Sequence, residues 1–227
     1  MRFHYLICCV PLFFAHPAWA ETDPYNRVDF QSEAARSVAN DLLSATLSIE
    51  VNDKSPARIA QKINAALNEA LHKSDTYTSV KVSSGNQETY PVYDKNNRLD
   101  SWRGRGELHL SSRDFKAAGE LIGQLQGQMQ LVGMQFSVAP ETRRQIENAV
   151  VEEAITAFKK RADTVRSSLA GKSYKIVHLS INLGSPGVMP MRAQFSVKSG
   201  LAAEELQLAG GDSQISAQVS GTIEISP

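Results

Sequence analysis

From Val80 to Leu110 the chain reads VKVSSGNQETYPVYDKNNRLDSWRGRGELHL: two long extended segments around Asp94-Lys95-Asn96-Asn97. Asp and Asn turn the backbone and tolerate positive φ, so the spacing predicts a long β-hairpin inside a sheet. On its second strand Trp102, Gly104, Gly106, Leu108 and Leu110 share one face, and Arg103, Arg105, Glu107 and His109 share the other. An even loop centred on Lys95-Asn96 would set apolar Val82 against polar His109. Matching Val82 to Leu108 or Leu110 needs one residue of slip. The pattern therefore requires an odd-length loop or a β-bulge, with Gly104 or Gly106 the candidate bulge sites.

The same two-residue period runs through the first part of the chain. Val28, Phe30, Ala34 and Val38 fall on one face, then Leu43, Ala45, Leu47, Ile49 and Val51 on another. A two-residue turn at Asn40-Asp41 would join them as a hairpin with Val38 opposite Leu43, Ala34 opposite Leu47 and Phe30 opposite Val51. One buried and one wet face indicate antiparallel sheets.

Three helices follow from cap and period. Ser55-Pro56 opens the first, with Ala60, Ile63, Leu67 and Leu71 inward. Ser111-Ser112 precedes the second, with Phe115, Ala118, Ile122 and Leu125. Pro140 opens the longest, running to about Ala170 with Ile146, Val150, Ala154, Phe158, Ala162, Val165 and Leu169 as its apolar stripe and Gly171 as its stop. A fifth strand carries Val132, Met134, Phe136 and Val138. A sixth, Tyr174–Leu183, points Val177, Leu179, Ile181 and Leu183 inward, and a regular last strand begins near Ser213. Residues 184–211, rich in Pro and Gly, read as a long surface excursion. The fold class is α+β: antiparallel sheets covered by three helices, in the order ββαββαβα, then β and a C-terminal β-strand.

Residues 1–20 stand apart. Arg2, the short apolar run Leu6–Phe14 and the A-x-A site Ala18-Trp19-Ala20 form a secretory leader. Residues 21–227 would be the mature α+β domain. Both cysteines, Cys8 and Cys9, lie in that leader, so the mature chain must be held by burial alone. It has no second long apolar run and so no transmembrane segment, which leaves a soluble or peripherally bound protein. The 24 Lys+Arg balance 24 Asp+Glu, which argues against nucleic acid or another partner held by bulk charge.

The motifs Tyr90-Pro91-Val92-Tyr93, Leu99-Asp100-Ser101-Trp102-Arg103, Leu108-His109-Leu110, Arg113-Asp114-Phe115 and Phe136-Ser137-Val138 are followed by the alanines Ala149, Ala154, Ala157 and Ala162 and by Tyr174-Lys175-Ile176-Val177. In these residues and their order the chain resembles the SIMPL-domain family of bacterial envelope proteins. The family usually carries tyrosine where Trp102 stands. The resemblance implies a periplasmic or outer-membrane-associated α+β protein that self-assembles into a homo-oligomer. It brings no catalytic residues.

The residues themselves offer little chemistry. The mature chain keeps His72, His109 and His178. If their strands were neighbours, His109 and His178 could share a metal with Glu107, yet no H-x-x-x-H or C-x-x-C pair is present. There is no G-x-S-x-G and no phosphate-loop glycine spacing. No catalytic, metal or cofactor residue is assigned. Glu88 is placed to pair with Arg103 across the hairpin, and Arg105 with Glu107. The candidate interaction surface is Tyr90, Tyr93, Trp102, Arg103 and Arg105. The expected role is non-enzymatic, by self-association or binding. Two alternatives stand: a ligand-sequestering or stress-related protein with an apolar cavity between sheet and helices, lidded by the excursion with Met189 and Met191, and a hydrolase or metal-dependent enzyme with a non-local site.

Overall fold

A computed structural model describes residues 25–184 and 209–227. The leader and all but the two ends of the 184–211 excursion lie outside the described residues. The elements are β1 (Arg27–Ala39), β2 (Leu42–Asp53), α1 (Pro56–Ser74), β3 (Val80–Tyr93), β4 (Leu99–Ser112), α2 (Phe115–Leu125), β5 (Gln130–Ser137), α3 (Pro140–Ser168), β6 (Ser173–Leu183) and β7 (Asp212–Ser226). The α+β class and the element order agree with the sequence reading.

The strands form two antiparallel sheets, β1-β7-β6 and β3-β4-β2-β5. Each has its own core. Leu43, Leu47, Leu108 and Leu110 of the four-stranded sheet pack against Ile59 and Ile63 of α1 and Leu121 and Ile122 of α2, all fully buried. Ala217, Val219 and Ile223 of the three-stranded sheet pack against Val150, Ala154, Phe158 and Ala162 of α3. Phe30 stacks on Phe158 with ring centroids 4.4 Å apart. Each of these large side chains contributes about 1.5–3 kcal/mol when buried.

The β1–β2 hairpin does not form. β1 pairs with β7, with Ala34 opposite Ala217 and Phe30 opposite Gly221. β2 lies between β4 and β5. The reason is local. The Asn40 N–H donates to Gly211 O at 2.9 Å, while the Asp41 N–H donates to Ser137 O at 3.1 Å. Adjacent residues thus send their backbone bonds to different sheets. Alternation specifies which face of a strand is buried, not which strand lies beside it.

The β3–β4 hairpin forms with the required slip. Val82 faces Leu110, and the loop is odd, Asp94 to Arg98, closed by Asp94 N–H to Arg98 O at 2.8 Å with Asn97 at φ 58°. The register shifts twice, at Gly85-Asn86 on β3 and at Asp100 on β4, and at neither Gly104 nor Gly106. Those two glycines face α1 instead. A Cβ at Gly106 would come within 2.5 Å of Ile63 Cγ2, and one at Gly104 would overlap Ile59. They let the helix backbone approach the sheet.

Helix ends differ in detail from the sequence expectation. Ser55 makes no side-chain cap; Asp53 Oδ1 accepts from the Ser55 N–H at 3.0 Å. Asp114 rather than Ser111 or Ser112 caps α2, accepting from the Ala117 N–H at 3.0 Å. At the end of α3 the left-handed residue is Ala170, φ 54°, not Gly171. The Gly171 N–H reaches Arg166 O and the Ala170 N–H reaches Ser167 O, a Schellman pattern. Leu169 lies outside the stripe, 61% exposed.

Two strands also depart from their expected faces. In β5 the register shifts beside Val132, so Leu131 packs on the core and Val132 is exposed. In β6 the register shifts beside Val177. Among the described residues Val177, Ile181 and Leu183, expected inward, are 41%, 44% and 44% exposed, because α3 packs mainly on β7 and β1 and does not cover this edge strand.

Candidate functional site

The site grows out of the wet face of the four-stranded sheet, opposite α1 and α2. Register places two polar rows across all four strands. One row is Lys81 of β3, Ser111 of β4, Ser44 of β2 and Gln135 of β5; the next is Ser83, His109, Thr46 and Gly133. Neighbouring strands lie about 4.8 Å apart, so each row spans about 14 Å. Together they floor an open trough of about 620 Å³ with no carboxylate in its lining.

His109 is held in this trough. Thr46 Oγ1 lies 3.1 Å from its Nδ1. Its Nε2 sits over Gly85, where a Cβ would overlap it. The bulge glycine thus gives the ring its room. Beyond His109 the face becomes charged: Glu107 pairs with Arg105 at 3.0 Å, as expected. The expected Glu88–Arg103 partnership does not occur. Between the two register shifts Glu88 lies opposite Arg105 and Tyr90 opposite Arg103, and Arg103 Nε donates to Asn52 Oδ1 at 3.0 Å.

The five residues of the expected interaction surface are divided by the pleat. Tyr90, Arg103 and Arg105 occupy the wet face. Trp102 occupies the other and packs against the core beside α1. Tyr93 stands exposed where the hairpin meets its loop. The three histidines are also separated. His72 is exposed at the end of α1, His109 lies in the four-stranded sheet and His178 in the three-stranded one. Among the described residues no three or more His, Cys, Asp and Glu side chains gather at metal-binding distance.

The clearest electrostatic perturbation is at Asp53. Hydrogen bonds from Arg58 and the Ser55 N–H, with a further one from Lys62, hold its carboxyl far below the ordinary range. At Asp41 burial raises the pKa, but donors from Ala139 N–H and Thr142 and the nearby Arg113 outweigh it, and the net direction is down. Both carboxylates hold helix starts and lie away from the trough.

The comparison with family models decides the kinship. The SIMPL model, described as a protein of unknown function (DUF541), matches residues 28–223. The chain belongs to the SIMPL family. No curated protein matches it. The match runs from the first residues of β1 to Ile223 of β7, so both sheets and all three helices belong to the SIMPL domain. Among the described residues no helix is long and apolar enough to cross a membrane.

The trough residues of this SIMPL domain escape sequence reading. Ser44, Thr46, Lys81, Ser83, Ser111 and Gln135 all occupy the polar phase of their strands, which was legible. Their convergence needs β2 placed between β4 and β5, and the false β1–β2 hairpin hid that. Between this sheet and its helices, where the ligand-sequestering alternative would place an apolar cavity, lies the leucine and isoleucine core, and the trough opens on the opposite face.

Proposed function

We propose that this SIMPL domain is a secreted, non-enzymatic envelope protein that works by self-association through β6, an edge strand among the described residues. The leader pattern Arg2, Leu6–Phe14 and Ala18-Trp19-Ala20 supports export to the periplasm, with outer-membrane association following from the family resemblance. The observation that carries the assembly reading is the contrast between sheet edges. Natural edges are guarded against pairing by charge, proline, bulges or brevity. β1 carries Arg27, Asp29, Glu33 and Arg36. β3 carries Lys81, Glu88, Pro91 and its bulge. β5 is short and bulged. The distal half of β6, Leu179-Ser180-Ile181-Asn182-Leu183, has no charge, no proline and no bulge, and leaves Ile181 and Leu183 exposed.

An antiparallel pairing of two copies centred on Ile181 sets Leu179 against Leu183 and doubles the apolar row. Such a contact is isologous and closes on itself. Size-exclusion chromatography with light scattering on residues 21–227 tests this. A dimer or a larger multiple of two is expected. A strict monomer at micromolar concentration removes the assembly reading.

A further inference from the structure

We infer that the polar trough on the four-stranded sheet is a binding site for a phosphoryl or similar tetrahedral oxyanion, carried by a soluble phosphate or by a lipid headgroup. This goes beyond self-association and is independent of it, since the trough and β6 belong to different sheets.

The argument rests on the donors and their order. The lining offers one ammonium (Lys81), one imidazole (His109), hydroxyls from Ser44, Thr46, Ser83 and Ser111, and the Gln135 amide. It contains no Asp or Glu to compete for the cation. An oxyanion presents acceptors only, and ammonium and hydroxyl donors satisfy it through charge-assisted hydrogen bonds. The donors are not scattered over a surface. They occupy two adjacent cross-strand rows whose spacing is fixed by the sheet, and a site on strands is preorganised by its backbone ladder.

The imidazole adds a second mark of a built site. Thr46 Oγ1 lies 3.1 Å from Nδ1, and in the tautomer in which the hydroxyl donates there, Nε2 carries the ring proton and can donate to a ligand oxygen. Room at Nε2 exists only because position 85 is glycine; any side chain there meets the ring. Gly133 opens the far end of the same row, where a Cβ would meet nothing within 4 Å.

The test is titration of mature protein with inorganic phosphate, followed by backbone amide NMR, beside sedimentation with phosphatidylcholine vesicles containing phosphatidic acid. Phosphate is expected to shift the amides of residues 44, 46, 81, 83, 109 and 111 together, in one saturating curve. Lys81→Gln should weaken binding by about tenfold or more, as for loss of a charge-assisted contact. Gly85→Ala should weaken it by crowding Nε2. Lys54→Gln, on the loop before α1, should bind as wild type. Unchanged thermal unfolding of Lys81→Gln would show that lost binding is not lost folding. Vesicle binding that depends on Lys81 assigns the ligand to a headgroup; saturable phosphate shifts without vesicle binding assign it to a soluble ester. The inference is overturned if phosphate leaves these amides unmoved, if Lys81→Gln binds as well as wild type, or if glucose produces the same shifts.

Discussion

Thr142 Oγ1 donates to Asp41 Oδ2 at 2.6 Å, so the residue that precedes β2 holds the first turn of a helix belonging to the other sheet. Asp41 Oδ1 also accepts from the Ala139 N–H at 2.6 Å, across 98 residues of sequence. Ala139 stands at the helix N-cap and has no side chain to do this itself. Beside it, Asn40 Nδ2 donates to Gly210 O and Ser213 Oγ donates to Asn40 Oδ1. Two adjacent residues therefore tie the start of α3 and the start of β7 to one point between the sheets. Asp41→Ala removes a helix cap and a cross-sheet link together. It should cost about 1–2 kcal/mol, read as a lower urea midpoint. An unchanged midpoint would mean that the link is incidental.

The same carboxylate gives an acid signature. Asp41 and Asp53 both have folded pKa values below their ordinary ones. A depressed carboxylate contributes stability that is complete above its unfolded pKa, about 3.9, and is lost as pH falls through the folded value. Stability should therefore decline below about pH 4. Asp41→Asn and Asp53→Asn should each flatten that decline while lowering stability at neutral pH. The measurement is urea unfolding across the acid range. An acid slope identical to wild type in the double variant would assign the loss to other groups.

Gly104 and Gly106 set the distance between α1 and its sheet. Gly104→Ala drives a methyl into Ile59 and Ile63, and Gly106→Ala drives one into Ile63. Overpacking of this kind costs typically about 1–3 kcal/mol. Each variant should unfold at lower urea, with Gly104→Ala the worse because its Cβ would overlap more deeply. Gly133→Ala is the control, since a Cβ there meets nothing within 4 Å.

The end of α3 offers a gain instead. Ala170 holds φ 54°, a conformation that costs an L-residue roughly 1–2 kcal/mol and glycine almost nothing. Ala170→Gly should raise stability by about 0.5–1 kcal/mol after the added entropy of the unfolded chain is counted. Gly171→Ala should do the opposite, because a Cβ there would overlap Ile225. Thermal unfolding of both variants checks the pair. Equal effects would contradict the division of roles between a left-handed residue and a close-approach glycine.

This pair also shows what could and could not be read from the sequence. Gly171 was expected to stop the helix because glycine is the common left-handed residue; it is glycine for space, a need set by Ile225 of β7, which arrives much later in the chain. Gly104 and Gly106 misled in the same way, as bulge sites, when a helix lay over them. Facing was legible wherever one element buries one face, as in the stripe Val150, Ala154 and Phe158. Partner choice was not, since Val28 to Val38 alternate identically beside β2 or β7. The trough depended on partner choice, so its members were visible singly and its existence was not. Ile181 and Leu183 read as buried because alternation reports the phase of a strand and not the reach of the helix that covers it.

That uncovered reach is the basis of the last prediction. If β6 pairs with its counterpart in a second copy, one charge at its centre should block pairing while leaving the fold intact. Ile181 is 44% exposed, so a lysine there can cover the same ground with its alkyl stem and carry its charge to water. A lysine on an edge strand keeps its charge in water in the monomer but must desolvate or repel its twin in an isologous contact. Ile181→Lys should therefore shift mature protein to monomer by light scattering, with its unfolding midpoint close to the wild-type value at low concentration. Arg36→Lys, on the charged β1 edge, should leave the subunit number unchanged. If Ile181→Lys keeps the wild-type assembly, the contact lies elsewhere; if Arg36→Lys breaks it, the edge argument fails, because the guarded edge would be the one in use.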